Sequence, residues 1–116
     1  MARGKLGTVS NILAYCDLFP TRVAATDFHE PVESDIPALI LLGAADTQTA
    51  TSWGLHAAKS LENGEAVSFP ETGHGAFRFS QCAKDIGAAF LSDPDDELNV
   101  GCTDDLRPAF VLPPTN

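Results

Sequence analysis

The sequence predicts an α/β domain in which strand, helix, strand and helix follow one another, with the two strands parallel. Three observations carry this. Pro37 and Gly43 bracket an aliphatic run, Ala38-Leu39-Ile40-Leu41-Leu42, too short for a typical helix and suited to a strand buried on both faces. An amphipathic stretch follows, with Trp53, Ala57, Ala58 and Leu61 on one stripe, and then a second strand at Glu65–Phe69. A strand–helix–strand unit of this spacing crosses over right-handed and leaves its strands parallel.

Along the chain, a short helix is expected over Asn11–Phe19, where Ile12, Cys16 and Phe19 share a face and Pro20 ends it. Thr21–Asp35 is polar and reads as a surface loop feeding the first strand. Ser52 is the expected cap of the next helix, and Asn63-Gly64 is its stop. After the second strand comes a Gly-bracketed loop, Pro70–Gly75, and then a helix from about Ser80 to Leu91 with Cys82, Ile86, Ala89 and Phe90 aligned. Asp93-Pro94 stops it. The acidic stretch Asp93–Glu97 lacks the alternating ligands and central glycine of a calcium loop, so it is read as a solvated face. The tail Arg107–Asn116, with Pro108, Pro113 and Pro114, is expected to be extended. Residues 1–34 thus form an irregular and helical N-terminal extension, and residues 35–116 form the α/β domain.

Composition narrows the function classes. At 116 residues, 44% of them apolar and 20% charged, the chain suits one packed domain. Seven Lys and Arg against sixteen Asp and Glu give a net charge of −9, a field that repels phosphate backbones and anionic lipid; neither nucleic acid nor membrane is an expected partner. The longest apolar run, Pro37–Gly43, falls well short of the roughly 18 residues of a spanning helix. Met1–Gly7 carries two cations, but Ser10 and Asn11 interrupt the stretch behind it, so no signal peptide is read there. No set of His, Cys or carboxylates has zinc spacing and no phosphate-binding glycine loop occurs, so neither metal nor cofactor is expected. Three cysteines, Cys16, Cys82 and Cys102, cannot all pair within one chain.

In open α/β sheets, reacting groups gather beyond the carboxyl ends of the strands. Asp46 lies three residues past the first strand and His74 five past the second, inside Thr72-Gly73-His74-Gly75. On neighbouring strands the two can meet. A carboxylate that accepts the imidazole Nδ1 proton fixes the tautomer and leaves Nε2 free to take a proton from a nucleophile. The plainer readings are an Asp46 that bonds only within its own turn and a His74 that is a surface residue. His29, in a polar loop, and His56, on a helix near Lys59, read as exposed.

The run Ser34–Thr49, followed by Trp53-Gly54, resembles the acid-bearing segment of α/β-hydrolase-fold serine peptidases related to tripeptidyl and prolyl aminopeptidases. Phe69–Gly75 resembles their histidine loop. Cys82, then Ala89–Pro94, then Cys102 is similar to the closing helix and disulfide of their shared C-terminal, TAP-like domain, and Cys16-Asp17 with Phe19-Pro20 is similar to a stretch that precedes the acid strand. The resemblance spans roughly residues 12–112. It implies a partial α/β-hydrolase fold, the C-terminal strand–helix–strand–helix portion of a parallel sheet, with residues 1–34 a remnant near the lid. Asp46 would be the orienting acid and His74 the general base of a Ser–Asp–His triad acting on a peptide or ester. A Cys82–Cys102 disulfide and a secreted or extracytoplasmic whole protein are implied too.

Two departures stand out. Ala50 occupies a position where these proteins usually carry proline. None of Ser10, Ser34, Ser52, Ser60, Ser68, Ser80 and Ser92 lies in a GxSxG elbow between strand and helix. The nucleophile is therefore expected on an N-terminal catalytic portion ahead of Met1, with Cys16 paired there and this chain inactive alone. The alternative is a stand-alone, non-catalytic α/β binding or assembly module that self-associates through its open sheet edges. An esterase built on Ser10 is disfavoured, because no strand precedes that residue.

Overall fold

The computed structural model describes residues 18, 19 and 22–112. The helix expected over Asn11–Phe19 lies outside the described residues except for Leu18 and Phe19, an exposed turn and bend, and Cys16 lies outside them as well. The chain divides into two compact units, Met1–Glu30 and Pro31–Asn116. In the first, residues 22–30 are exposed and carry a turn in which Phe28 N–H donates to Ala25 O.

The second unit runs β1 (Ala38–Gly43), α1 (Thr51–Ala58), β2 (Gly64–Phe69), α2 (Ala76–Phe79), α3 (Gln81–Ser92) and a 3-10 turn at Gly101–Thr103. β1 and β2 form a two-stranded parallel sheet with Ala38 beside Gly64 at one end and Gly43 beside Phe69 at the other. This is the parallel strand–helix–strand arrangement that the aliphatic run and its spacing predict. Leu39 and Leu41 share a face with Val67 and Phe69, and there they meet Ala76, Cys82, Ala83 and Ile86. Phe69 and Ala83 are completely buried. Ile40 and Leu42 point to the opposite face, against Gly54 of α1. The sheet is thus covered by α1 on one side and by α3 on the other, although Ala38–Leu41 are only half-buried.

The inward faces of the helices differ from those expected. Trp53 and Ala57 are exposed, and the half-buried positions of α1 are Thr51, Gly54 and Ala58. Gly54 explains the rotation: it approaches β1 so closely that a Cβ there would overlap Leu42 Cδ2, so the helix seats its glycine on the strand and turns Trp53 outward. Ser52 is not the cap. Ala50 precedes the first turn with φ −56° and ψ 142°, and no side chain caps that end. α3 buries Cys82, Ala83, Ile86 and Gly87, whereas Ala89 is exposed and Phe90 half-buried. Its cap is Ser80, whose hydroxyl accepts from Ala83 N–H at 3.2 Å.

Cys82 and Cys102 are disulfide-bonded, with Cα atoms 5.9 Å apart. The bond ties the segment after α3 to the core, where Leu98, Val100 and Leu106 pack on the buried cluster. Asp93–Glu97 is exposed throughout, and residues 107–112 have no regular structure. Among the described residues no helix is long and apolar enough to cross a membrane.

Candidate active site

The parallel register places the carboxyl ends of β1 and β2 side by side, so the loops after Gly43 and Phe69 leave from the same edge. Backbone bonds lace them together: Ala44 N–H donates to Phe69 O at 3.1 Å and Ala45 N–H to Thr72 O at 3.0 Å. The approach is too close for side chains. A Cβ at Gly43 would overlap the Gly73 carbonyl oxygen, so the glycine that ends β1 lets the histidine loop lie against the acid loop.

Asp46 and His74 meet at this edge, with His74 Nδ1 3.0 Å from Asp46 Oδ2. The other carboxylate oxygen, Oδ1, accepts from Gln48 N–H at 2.8 Å and Thr49 N–H at 2.9 Å. Asp46 therefore bonds within its own turn and to the imidazole at once, one oxygen for each. The Thr49 N–H holds its carboxyl below the usual value of 3.8; desolvation opposes this, while Gln48 N–H and His74 reinforce it. An ionised carboxylate only accepts, so the Nδ1 facing it carries a proton and donates it to Asp46. The Asp46 side chain is 9% exposed and that of His74 is 53% exposed, so the ring is held from the protein side and open on the other. Among the described residues, no other side chain hydrogen-bonds His74.

Gly75 follows with φ +86°, a conformation that favours glycine, and turns the chain directly into α2. That one-turn helix is absent from the sequence expectation, which assigns nothing between the loop at Pro70–Gly75 and the helix from about Ser80. Glu71 has an Oε2 that is buried without a hydrogen-bond partner among the described residues. Neither feature is legible in spacing, since one depends on a single glycine dihedral and the other on how the loop folds back. Gln48 and Thr49, which steady Asp46 through backbone N–H groups, leave only the weak signal of an aspartate at the start of a polar turn.

His29 and His56 are exposed, and among the described residues neither hydrogen-bonds Asp46 or His74; the His29 ring meets Phe28 edge-on, with centroids 5.4 Å apart. A wide depression of about 600 Å³, lined by Glu33, Ser34, Asp35, Lys59, Ser60 and Glu62, lies at the amino ends of the strands, the opposite end from His74. Among the described residues, no group of three or more His, Cys, Asp or Glu is placed to hold a metal ion.

A family model described as TAP-like protein matches residues 7–102. No curated protein matches the chain. No solved structure does either.

Proposed function

We propose, since this chain belongs to the TAP-like protein family of α/β hydrolases, that it is the C-terminal portion of a serine hydrolase and supplies the acid and the histidine of its triad. The observation that carries the reading is the 3.0 Å contact between Asp46 Oδ2 and His74 Nδ1 at the carboxyl edge of two parallel strands. With Nδ1–H committed to Asp46, Nε2 of His74 accepts the proton of a serine hydroxyl as its oxygen attacks an amide or ester carbonyl. The same proton then passes to the departing amine or alcohol. Water repeats the sequence on the acyl-enzyme: its oxygen bonds the acyl carbon as Nε2 takes its proton, the ester bond to serine breaks, and the proton returns to the serine oxygen. Asp46 orients the ring and stabilises the imidazolium that forms.

The serine comes from a polypeptide segment outside these strands, because none of the chain's serines lies in a nucleophile elbow. The open sheet supports this. Ala38 N–H donates to Asn63 O and Ala44 N–H to Phe69 O, so the even-numbered residues of β1 turn their amides toward β2. Leu39 and Leu41 turn theirs to the other edge, where no described strand pairs. An aliphatic strand with a bare edge in a two-stranded sheet suits a larger parallel sheet joined there, the partial α/β-hydrolase fold. The disulfide fits an oxidising, extracytoplasmic setting.

The test is labelling with a serine-directed fluorophosphonate. This chain alone is expected to remain unlabelled. Supplied with a polypeptide bearing the GxSxG serine, it is expected to make that serine reactive, and Asp46→Asn is expected to slow turnover by on the order of 10⁴-fold through the wrong imidazole tautomer. Phosphonate on a serine of this chain, or reactivity indifferent to Asp46 and His74, refutes the proposal.

A further inference from the structure

α2 rises directly from the histidine turn. The backbone N–H of Arg78 donates to Gly75 O at 2.8 Å, and the helix is fixed from below by buried Ala76 and by Phe77, whose ring lies against Gly87 of α3. Its outer side presents Arg78 and Phe79, the latter 66% exposed with its ring edge over Gly75. The Arg78 guanidinium carbon lies 5.3 Å from the centre of the Phe79 ring. In a chain where carboxylates outnumber cations sixteen to seven, that guanidinium forms no ion pair and its donors make no hydrogen bond among the described residues. No other Lys or Arg lies between Lys59 and Lys84.

We propose that Arg78, steadied by Phe79, receives a substrate carboxylate on the leaving-group side of His74. The inference rests on the triad reading above and deepens it. A histidine that protonates the departing amine lies next to the leaving fragment, and Arg78 follows that histidine by four residues, on the short helix that leaves its turn. An aromatic ring holds a guanidinium by its face and leaves the in-plane donors free for a carboxylate. The substrate class is a peptide whose departing fragment carries a carboxylate near the scissile bond, such as a free C-terminus. Arg78 is in this sense a specificity-determining residue.

The full chain, isotopically labelled, is titrated in physiological salt with N-acetyl-alanylalanine bearing a free carboxylate and, separately, with its C-terminal amide. Side-chain signals of Arg78 and His74 are followed by nuclear magnetic resonance. The acid is expected to shift both and to bind about tenfold tighter than the amide, a difference of about 1.4 kcal/mol. Arg78→Gln is expected to abolish the preference and Arg78→Lys to keep part of it, since lysine offers a charge without the planar fork. Asp46→Asn serves as the separating control: it alters the His74 tautomer and leaves the acid-to-amide ratio at Arg78 unchanged. Equal responses to acid and amide, no response of Arg78 to either, or a preference that survives Arg78→Gln overturns the proposal. Failure of the triad reading shows instead as a His74 tautomer indifferent to Asp46→Asn.

Discussion

Replacing Cys82 by alanine and Cys102 by serine removes a covalent link between α3 and the segment that follows it. Cys82 is buried at 8% exposure and Cys102 is exposed, so the alanine avoids a polar group in the core and the serine sits in water. The cysteines are 20 residues apart, and freeing a loop of that length returns about 3 kcal/mol of conformational entropy to the unfolded chain. In a domain of this size each kcal/mol moves the thermal midpoint by about 4–8 °C, so the double variant is expected to melt about 12–24 °C lower. Circular dichroism of the wild type, of the variant and of reduced wild type measures this, and the last two are expected to agree. Hydrogen exchange is expected to localise the loss first around Leu98, Val100 and Leu106, which pack on the core only while the tether holds the chain against it. A shift below about 4 °C, under 1 kcal/mol, refutes the reasoning and shows that packing alone holds the segment.

Ala50→Pro is expected to raise the unfolding free energy by about 0.4–1 kcal/mol, read as a higher urea midpoint at unchanged m, because φ −56° is already a proline angle and the Ala50 N–H makes no hydrogen bond among the described residues; a lower midpoint shows that Thr49 clashes with the ring. The Asp46 carboxyl titrates below its ordinary value of 3.8, so its stabilisation is complete above that pH and is lost as pH falls through the lowered value. Thermal midpoints taken from pH 6 down to pH 2 are expected to converge for wild type and Asp46→Asn at the acid end, and a gap independent of pH contradicts this.

Much of the fold follows from short-range pattern. The bracketed aliphatic run makes β1, and parallel pairing follows from the helix between the strands, although Asn63-Gly64 is not the stop of that helix: α1 already ends at Ala58, and Gly64 opens β2. Which side of a helix faces inward is less legible. Periodicity assigns Trp53 to the core because it is large and apolar, yet the contact that decides α1 is Gly54 against Leu42, where a missing side chain sets the distance. A hydrophobic stripe cannot register such a contact. α2 escapes for a related reason: four residues carry no period, and its start depends on the positive φ of Gly75. Asp46 and His74 are legible because strand ends are easy to locate and the sheet converts sequence offsets into proximity. The backbone groups that steady Asp46 are not, since an N–H belongs to every residue and only the folded turn selects Gln48 and Thr49.

The two readings open to Asp46 in the sequence, a turn-forming residue and a partner for histidine, are not rivals. Because Oδ1 is taken by two backbone donors, the carboxylate plane is fixed before any imidazole approaches, and Oδ2 has one direction left to face. The imidazole arrives on a loop whose own position is set by the Gly43–Gly73 approach and the Ala45 to Thr72 bond. Neither constraint involves a serine. Asp46 and His74 therefore keep their geometry in this chain by themselves, and on the proposed reading the serine hydroxyl has only to be delivered to the exposed side of the ring. Preorganisation of this kind lowers the cost of assembling a site from two pieces, because the piece that must be oriented most accurately is held in place by its own backbone.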